Sequence, residues 1–193
     1  MLRRLLISTA LLLMAGCVTL PAPTASTMVP SNLGSQISNQ IHIRIDGVQL
    51  ASAAKEGAAF EQFAAKHPLI QADGVANFER SIELTLVASG ARVTKDAKAG
   101  DYVLSSTILG AAVIPYPEAY TILFAHYQLK EERGGSLVWS KNVYSQAKFD
   151  QARVTEVKDG QPDPAYSRAA AANLRQMVVS LSEWFSAHSP EGR

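Results

Sequence analysis

Residues 120–148 read YTILFAHYQLKEERGGSLVWSKNVYSQAK, and their pattern decides the fold. Two β-rich runs, Tyr120–Lys130 and Leu137–Lys148, flank a polar connection that contains Gly134 and Gly135. Adjacent glycines supply the positive φ angles that a tight hairpin turn requires. In the first run Leu123, Ala125, Tyr127 and Leu129 share one side, while Ile122, Phe124 and His126 share the other. This is the period of two expected of a strand. The second run places Leu137, Trp139 and Val143 together. A long hairpin of this kind predicts a largely antiparallel sheet.

Working toward the N-terminus, Tyr102–Leu109 is apolar on both faces, as a central strand would be. Between it and the hairpin, Gly110–Ala119 reads as irregular and holds the proline-bounded stretch AAVIPYP over 111–117. Asp96–Gly100 reads as a turn and Ala91–Thr94 as a short strand. A helix is expected from Asp73-Gly74 or Asn77 to Ser89, with Phe78, Ile82 and Leu86 spaced by four and Gly90 as its C-terminal cap. The Ala-rich region 51–76, with Phe60 and Phe63, suggests a short helix that His67-Pro68 would stop. Gln40–Val48 reads as a strand, since Ile41, Ile43 and Ile45 alternate with His42, Arg44 and Asp46 until Gly47 ends it.

Toward the C-terminus, 149–163 is polar and loop-like, and Pro164 opens a helix to His188. Leu174, Met177, Val178, Leu181, Trp184 and Phe185 recur at three and four residues, forming one apolar stripe. The stripe is expected to pack on the sheet; a membrane-lying or coiled-coil helix is the alternative. The order predicts an α+β fold of two layers, a largely antiparallel sheet with helices packed on one face.

The first residues have a different character. Arg3 and Arg4 precede an apolar run, Leu5–Met14, which is too short to span a bilayer, where about 20 residues are needed. Leu13-Met14-Ala15-Gly16-Cys17 resembles the bacterial lipobox, with Met14 in place of the usual Leu. That resemblance implies removal of residues 1–16 and acylation of Cys17, the sole cysteine. Two or three acyl chains anchor firmly, because each buried CH₂ contributes about 0.8 kcal/mol. Val18, rather than Asp, follows the cysteine, which by the same resemblance implies the outer membrane with the domain facing the periplasm. Residues 18–40 are rich in Pro, Ser, Thr and Ala, a linker composition suited to reach. The expected organisation is a signal peptide (1–16), a lipidated cysteine and flexible linker (17–39), and a single domain (40–188).

Ala99-Gly100-Asp101-Tyr102-Val103-Leu104, Tyr127-Gln128-Leu129, Gly135-Ser136-Leu137-Val138-Trp139 and the Ala- and Asn-bearing segment Arg168–Asn173 form a further series. It resembles small outer-membrane lipoproteins. The layout is also similar to penicillin-binding-protein activator lipoproteins and the N-terminal domain of the Tol-system propeller protein. The resemblance implies a fold and a compartment and transfers no catalytic residue.

Composition narrows the function classes. Cleavage before Cys17 would leave 16 basic against 17 acidic side chains, without the clustered positive charge that nucleic-acid binding needs. His42, His67, His126 and His188 have no metal-ligand spacing, so structural or solvated roles are expected. No GxSxG, SxxK or phosphate-loop motif is present. Neither a cofactor, a metal nor an enzymatic activity is expected. The leading reading is an interaction, assembly or auxiliary factor with an envelope protein partner; the alternative is a carrier of lipid or another apolar ligand. The 110–120 stretch is either packed beneath the domain or an exposed contact, and Ile114, Tyr116 and Tyr120 are the candidate contact residues.

Overall fold

In a computed structural model, the described residues are 21–51, 67–95, 100–114, 118–149 and 163–188. Strands β1 (His42–Leu50), β2 (Arg92–Thr94), β3 (Tyr102–Ile114), β4 (Tyr120–Glu131) and β5 (Leu137–Lys148) form one sheet in the order β2-β1-β3-β4-β5. Helices α1 (Ala72–Ala88) and α2 (Pro164–His188) pack on one face of it. The long β3–β4–β5 ladders are antiparallel, and β1 runs parallel to both β2 and β3. The architecture is the expected two-layer α+β fold, with a mixed sheet dominated by its antiparallel half.

Three bulges explain where strand boundaries depart from the sequence pattern. In β3 the register steps from Ile108–Ala125 to Gly110–Phe124, so Leu109 is an extra residue. That step returns Ala111 and Val113 to the buried face, and β3 extends to Ile114, into the first half of the stretch expected to be irregular. In β5, Leu129 pairs with Trp139 and Lys130 with Leu137, leaving Val138 as the extra residue. Trp139 and Val143 are buried, whereas Leu137 is exposed rather than grouped with them. In β1 a bulge between Ile45 and Val48, with Gly47 at φ +91°, carries the strand past the expected end to Leu50.

The core lies between helices and sheet. Phe78, Ile82 and Leu86 of α1 and Leu174, Met177, Val178 and Leu181 of α2 meet Ile43, Leu104, Ile108, Leu123, Ala125 and Leu129. Asp163 Oδ1 accepts from Ala165 N–H at 2.8 Å, capping α2 at the turn that Pro164 begins. Gly90, at φ +103°, follows α1 as expected. Gly74 has a stricter reason: a Cβ there would sit 1.9 Å from Pro68 O.

Residues 21–41 differ from the flexible linker expected of their composition. Met28, Leu33 and Ile37 are buried in the core, and Pro23 and Pro30 are buried too. Asn77 Nδ2 donates to Pro23 O at 3.0 Å, Arg175 donates to Ser31 O, and the Gln36 and Ile37 N–H groups donate to Ser89 O at 2.8 and 2.9 Å. The segment is a strap along the helix layer. Its widely spaced apolar side chains follow no helix or strand period, which is why its composition resembles a linker. The helix expected around Phe60 and Phe63, the 96–99 turn residues and most of the 149–163 loop lie outside the described residues.

Candidate functional site

The two faces of the sheet have different chemistry. Every fully buried strand side chain faces the helices, and the other face has no helix on it among the described residues. Along β4 that open face carries Tyr120, Ile122, Phe124, His126 and Gln128; along β5 it carries Asn142, Tyr144, Gln146 and Lys148. Phe124 and Tyr144 are directly opposite each other and are 37% and 50% exposed. Ile122, between Ala112 and Gln146, extends this apolar area toward the β3–β4 hairpin. Farther along, the face becomes polar: His126 Nδ1 lies 2.6 Å from Asn142 Oδ1. At its far end Arg44 donates to both Glu132 carboxylate oxygens at 3.1 and 3.2 Å, and these bonds raise the guanidinium pKa further.

Two of the candidate contact residues come together. Ile114 and Tyr120 are the last pair of the β3–β4 ladder, and Ile114 is 38% exposed. The Tyr120 hydroxyl donates to Glu118 Oε2 at 2.5 Å, and Lys148 Nζ donates to Glu118 Oε1 at 2.7 Å. The Lys148 hydrogen bond is the chief cause lowering the Glu118 pKa, and the Glu118 bond raises that of Tyr120. Tyr116 and Cys17 lie outside the described residues.

The histidines are structural or solvated where they are placed. His42 Nδ1 lies 3.2 Å from Asp101 Oδ2, and the same carboxylate accepts the His42 N–H at 3.0 Å, tying β1 to the start of β3. His188 stacks on Trp184. His67 is buried: Nδ1 accepts from Leu69 N–H at 3.3 Å, so Nε2 carries the proton and donates to Thr121 Oγ1 at 2.8 Å. Burial pushes its pKa down to about 3, keeping the ring neutral. Its edge-to-face partner Tyr166 is raised to about 12 by burial and by Asp163.

Among the described residues there is no group of His, Cys, Asp and Glu side chains that could hold a metal ion, and no catalytic constellation. No described helix is long and apolar enough to cross a membrane. Among the described residues, the layer between helices and sheet holds the buried side chains of the core. The Phe124–Tyr144 pair is the feature that sequence reading misses. Alternation places Phe124 on the correct face, but its partner depends on the register step at Val138, which alternation alone does not reveal.

No protein-family model matches this chain, and no curated protein matches it. Solved bacterial structures do match its fold. The hypothetical protein CT253 from Chlamydia trachomatis is 10% identical, with 77% of this chain and 99% of that one covered at a TM-score of 0.53. Protein XCC0632 from Xanthomonas campestris is 12% identical, over 85% and 93% of the two chains, with a TM-score of 0.52. PelC from Paraburkholderia phytofirmans, solved as a dodecamer of a point variant, is 12% identical over 76% and 91%, with a TM-score of 0.50. Identities this low establish a shared fold alone. They support the two-layer α+β fold and do not single out the narrower likeness to penicillin-binding-protein activators or the Tol propeller protein.

Proposed function

We propose that the protein is a lipid-anchored envelope factor that presents the open face of its sheet to another envelope protein. One observation carries the reading: Phe124 and Tyr144 lie opposite each other, exposed, on a face that no described helix covers. Large aromatic side chains on a rigid, exposed surface are the usual anchors of protein interfaces. Acylation of Cys17 supplies the membrane attachment, and Val18 after it favours the outer membrane with the domain in the periplasm. Ile114, Tyr116 and Tyr120 are proposed as a second contact with the envelope, separate from the Phe124–Tyr144 anchor of the protein partner. PelC, of similar fold, is described as a dodecamer, so assembly with further copies is one form the interaction can take.

The test is co-purification from gently crosslinked cells with the tagged full chain. A discrete protein recovered with the wild type and lost from the Phe124→Asp/Tyr144→Asp variant supports the reading. Equal recovery with both contradicts it. In parallel, Cys17→Ala is expected to move the folded protein out of the membrane fraction; unchanged retention would remove the anchor from the account.

A further inference from the structure

A series of contacts brings the N-terminal strap and the β3–β4 hairpin to one end of the domain. Asn77, near the start of α1, holds Pro23 O, and Thr27 Oγ1 shares a 3.0 Å hydrogen bond with Ser167 Oγ in the first turns of α2. The next residue, Arg168, donates to Lys148 O at 2.5 Å. Lys148 is the strand partner of Tyr120, and Tyr120 that of Ile114. His67 and Tyr166 close this end from inside, through Thr121 and with Val113 and Phe149. The last turn of α2 lies at the other end, where Trp184 and Phe185 pack against Tyr102. Tyr102 is paired there with Glu131, eleven ladder steps from Ile114–Tyr120.

The chain arriving from Cys17 therefore meets the domain at its hairpin end. Because Pro23 is already buried, only residues 18–22 separate the cysteine from the folded strap. Covalent geometry limits that span to about 20 Å. Strand β3 alone, with 13 residues, is roughly 40 Å long. A leash this short, attached at this end, keeps the hairpin end beside the membrane that holds the acyl chains.

The surface there suits such a neighbour. Ile114 is exposed, Tyr120 offers an aromatic ring with a polar tip, and Glu118 and Lys148 neutralise each other. Tyrosine rings are favoured at the level of lipid headgroups, and a neutral ion pair brings no net charge against them. We infer that the hairpin end seats on the lipid bilayer, with Ile114 and Tyr120 at the boundary between headgroups and acyl chains. The inference rests on the acylation of Cys17 proposed above, and it deepens that reading by giving the domain an orientation. Two side chains bind a bilayer weakly alone; the anchor makes their contact intramolecular in effect. The strands then stand up from the membrane, and Phe124 and Tyr144 face sideways toward a neighbour at the same height.

The test uses the full-length lipoprotein, purified from membranes and reconstituted into phosphatidylethanolamine–phosphatidylglycerol vesicles. Acylated Cys17 is blocked, so Ile114→Cys or His188→Cys provides a single reactive thiol for a fluorescent label. Iodide quenching is expected to be several-fold weaker at position 114 than at position 188, with a blue-shifted emission at 114. Equal quenching at both positions, with the protein still floating with the vesicles, overturns the seat and leaves the anchor intact. Failure to float overturns the anchor and the seat together. In cells, a photo-reactive group at 114 that attaches to a protein instead of lipid also overturns the seat, in favour of a protein contact there.

Discussion

The Tyr127 hydroxyl donates a 2.6 Å hydrogen bond to Asn173 Oδ1, joining β4 to the inner side of α2 across the core. Both residues are completely buried. Asn173 Nδ2 lies 3.1 Å from Val143 O, 3.2 Å from Ser145 Oγ and 3.3 Å from Leu123 O. The amide is thus satisfied on both sides, and burial holds the Tyr127 hydroxyl protonated well above its ordinary pKa. A polar pin of this kind fixes the register of α2 over the β4–β5 hairpin, which an apolar stripe alone leaves free to slide.

Tyr127→Phe is expected to cost about 1–3 kcal/mol, since Asn173 Oδ1 is left buried without its donor. Asn173→Ala is expected to cost more, because it strands the tyrosine hydroxyl and opens a cavity. Urea unfolding of the singles and the double variant should give a coupling energy of about 1 kcal/mol or more. Additive effects would mean the bond contributes nothing specific.

Met28→Ala distinguishes a strap from a linker. Met28 is completely buried, so its truncation is expected to cost about 2–5 kcal/mol. A change within about 0.5 kcal/mol, as for an exposed flexible residue, would contradict the strap.

Gly74→Ala should destabilise although alanine is the better helix former. The gain of about 1 kcal/mol in helix propensity is outweighed by a methyl group 1.9 Å from the Pro68 carbonyl oxygen, inside a well-packed turn. A lower urea midpoint with an unchanged slope is the expected outcome; a higher midpoint would show that the 68–70 turn is not held there.

His67 gives the fold an acid sensitivity of defined sign. Its folded pKa is depressed to about 3 by burial, against about 6.5 in the unfolded chain. Its contribution is complete above pH 6.5 and is lost as pH falls, because only the unfolded state takes up the proton. The slope approaches about 1.4 kcal/mol per pH unit between about pH 6 and 4. His67→Gln is expected to flatten the stability profile in that window. An identical slope in the variant would assign the acid loss to other groups.

Much of this architecture is legible in the sequence because its signals are local. Alternation around Leu123–Leu129 and the glycine turn reveal the hairpin, and the stripe from Leu174 to Phe185 reveals α2. What escapes depends on contacts distant in sequence. The bulges at Leu109 and Val138 exist only relative to partner strands, so alternation ends β3 early and puts Leu137 on the wrong face. The strap's buried side chains, Met28, Leu33 and Ile37, follow no helix or strand period and gain meaning only when two helices receive them. His67-Pro68 reads as a helix stop, yet its imidazole is part of the core, because its hydrogen-bond partner Thr121 lies 54 residues away. The AGDYVL and YQL motifs are structural. Asp101 binds His42 N–H, Tyr102 packs on Trp184 and Phe185, and Tyr127 binds Asn173.

The most direct measurement is photo-crosslinking in living cells from Phe124 and Tyr144 on the open sheet face, with Val87 on the exposed side of α1 as the reference position. The account predicts one discrete protein adduct from both sheet positions and none of the same mass from Val87. Adducts shared equally by all three positions, or none from Phe124 and Tyr144 while Val87 reacts, would contradict the claim that this face receives the partner.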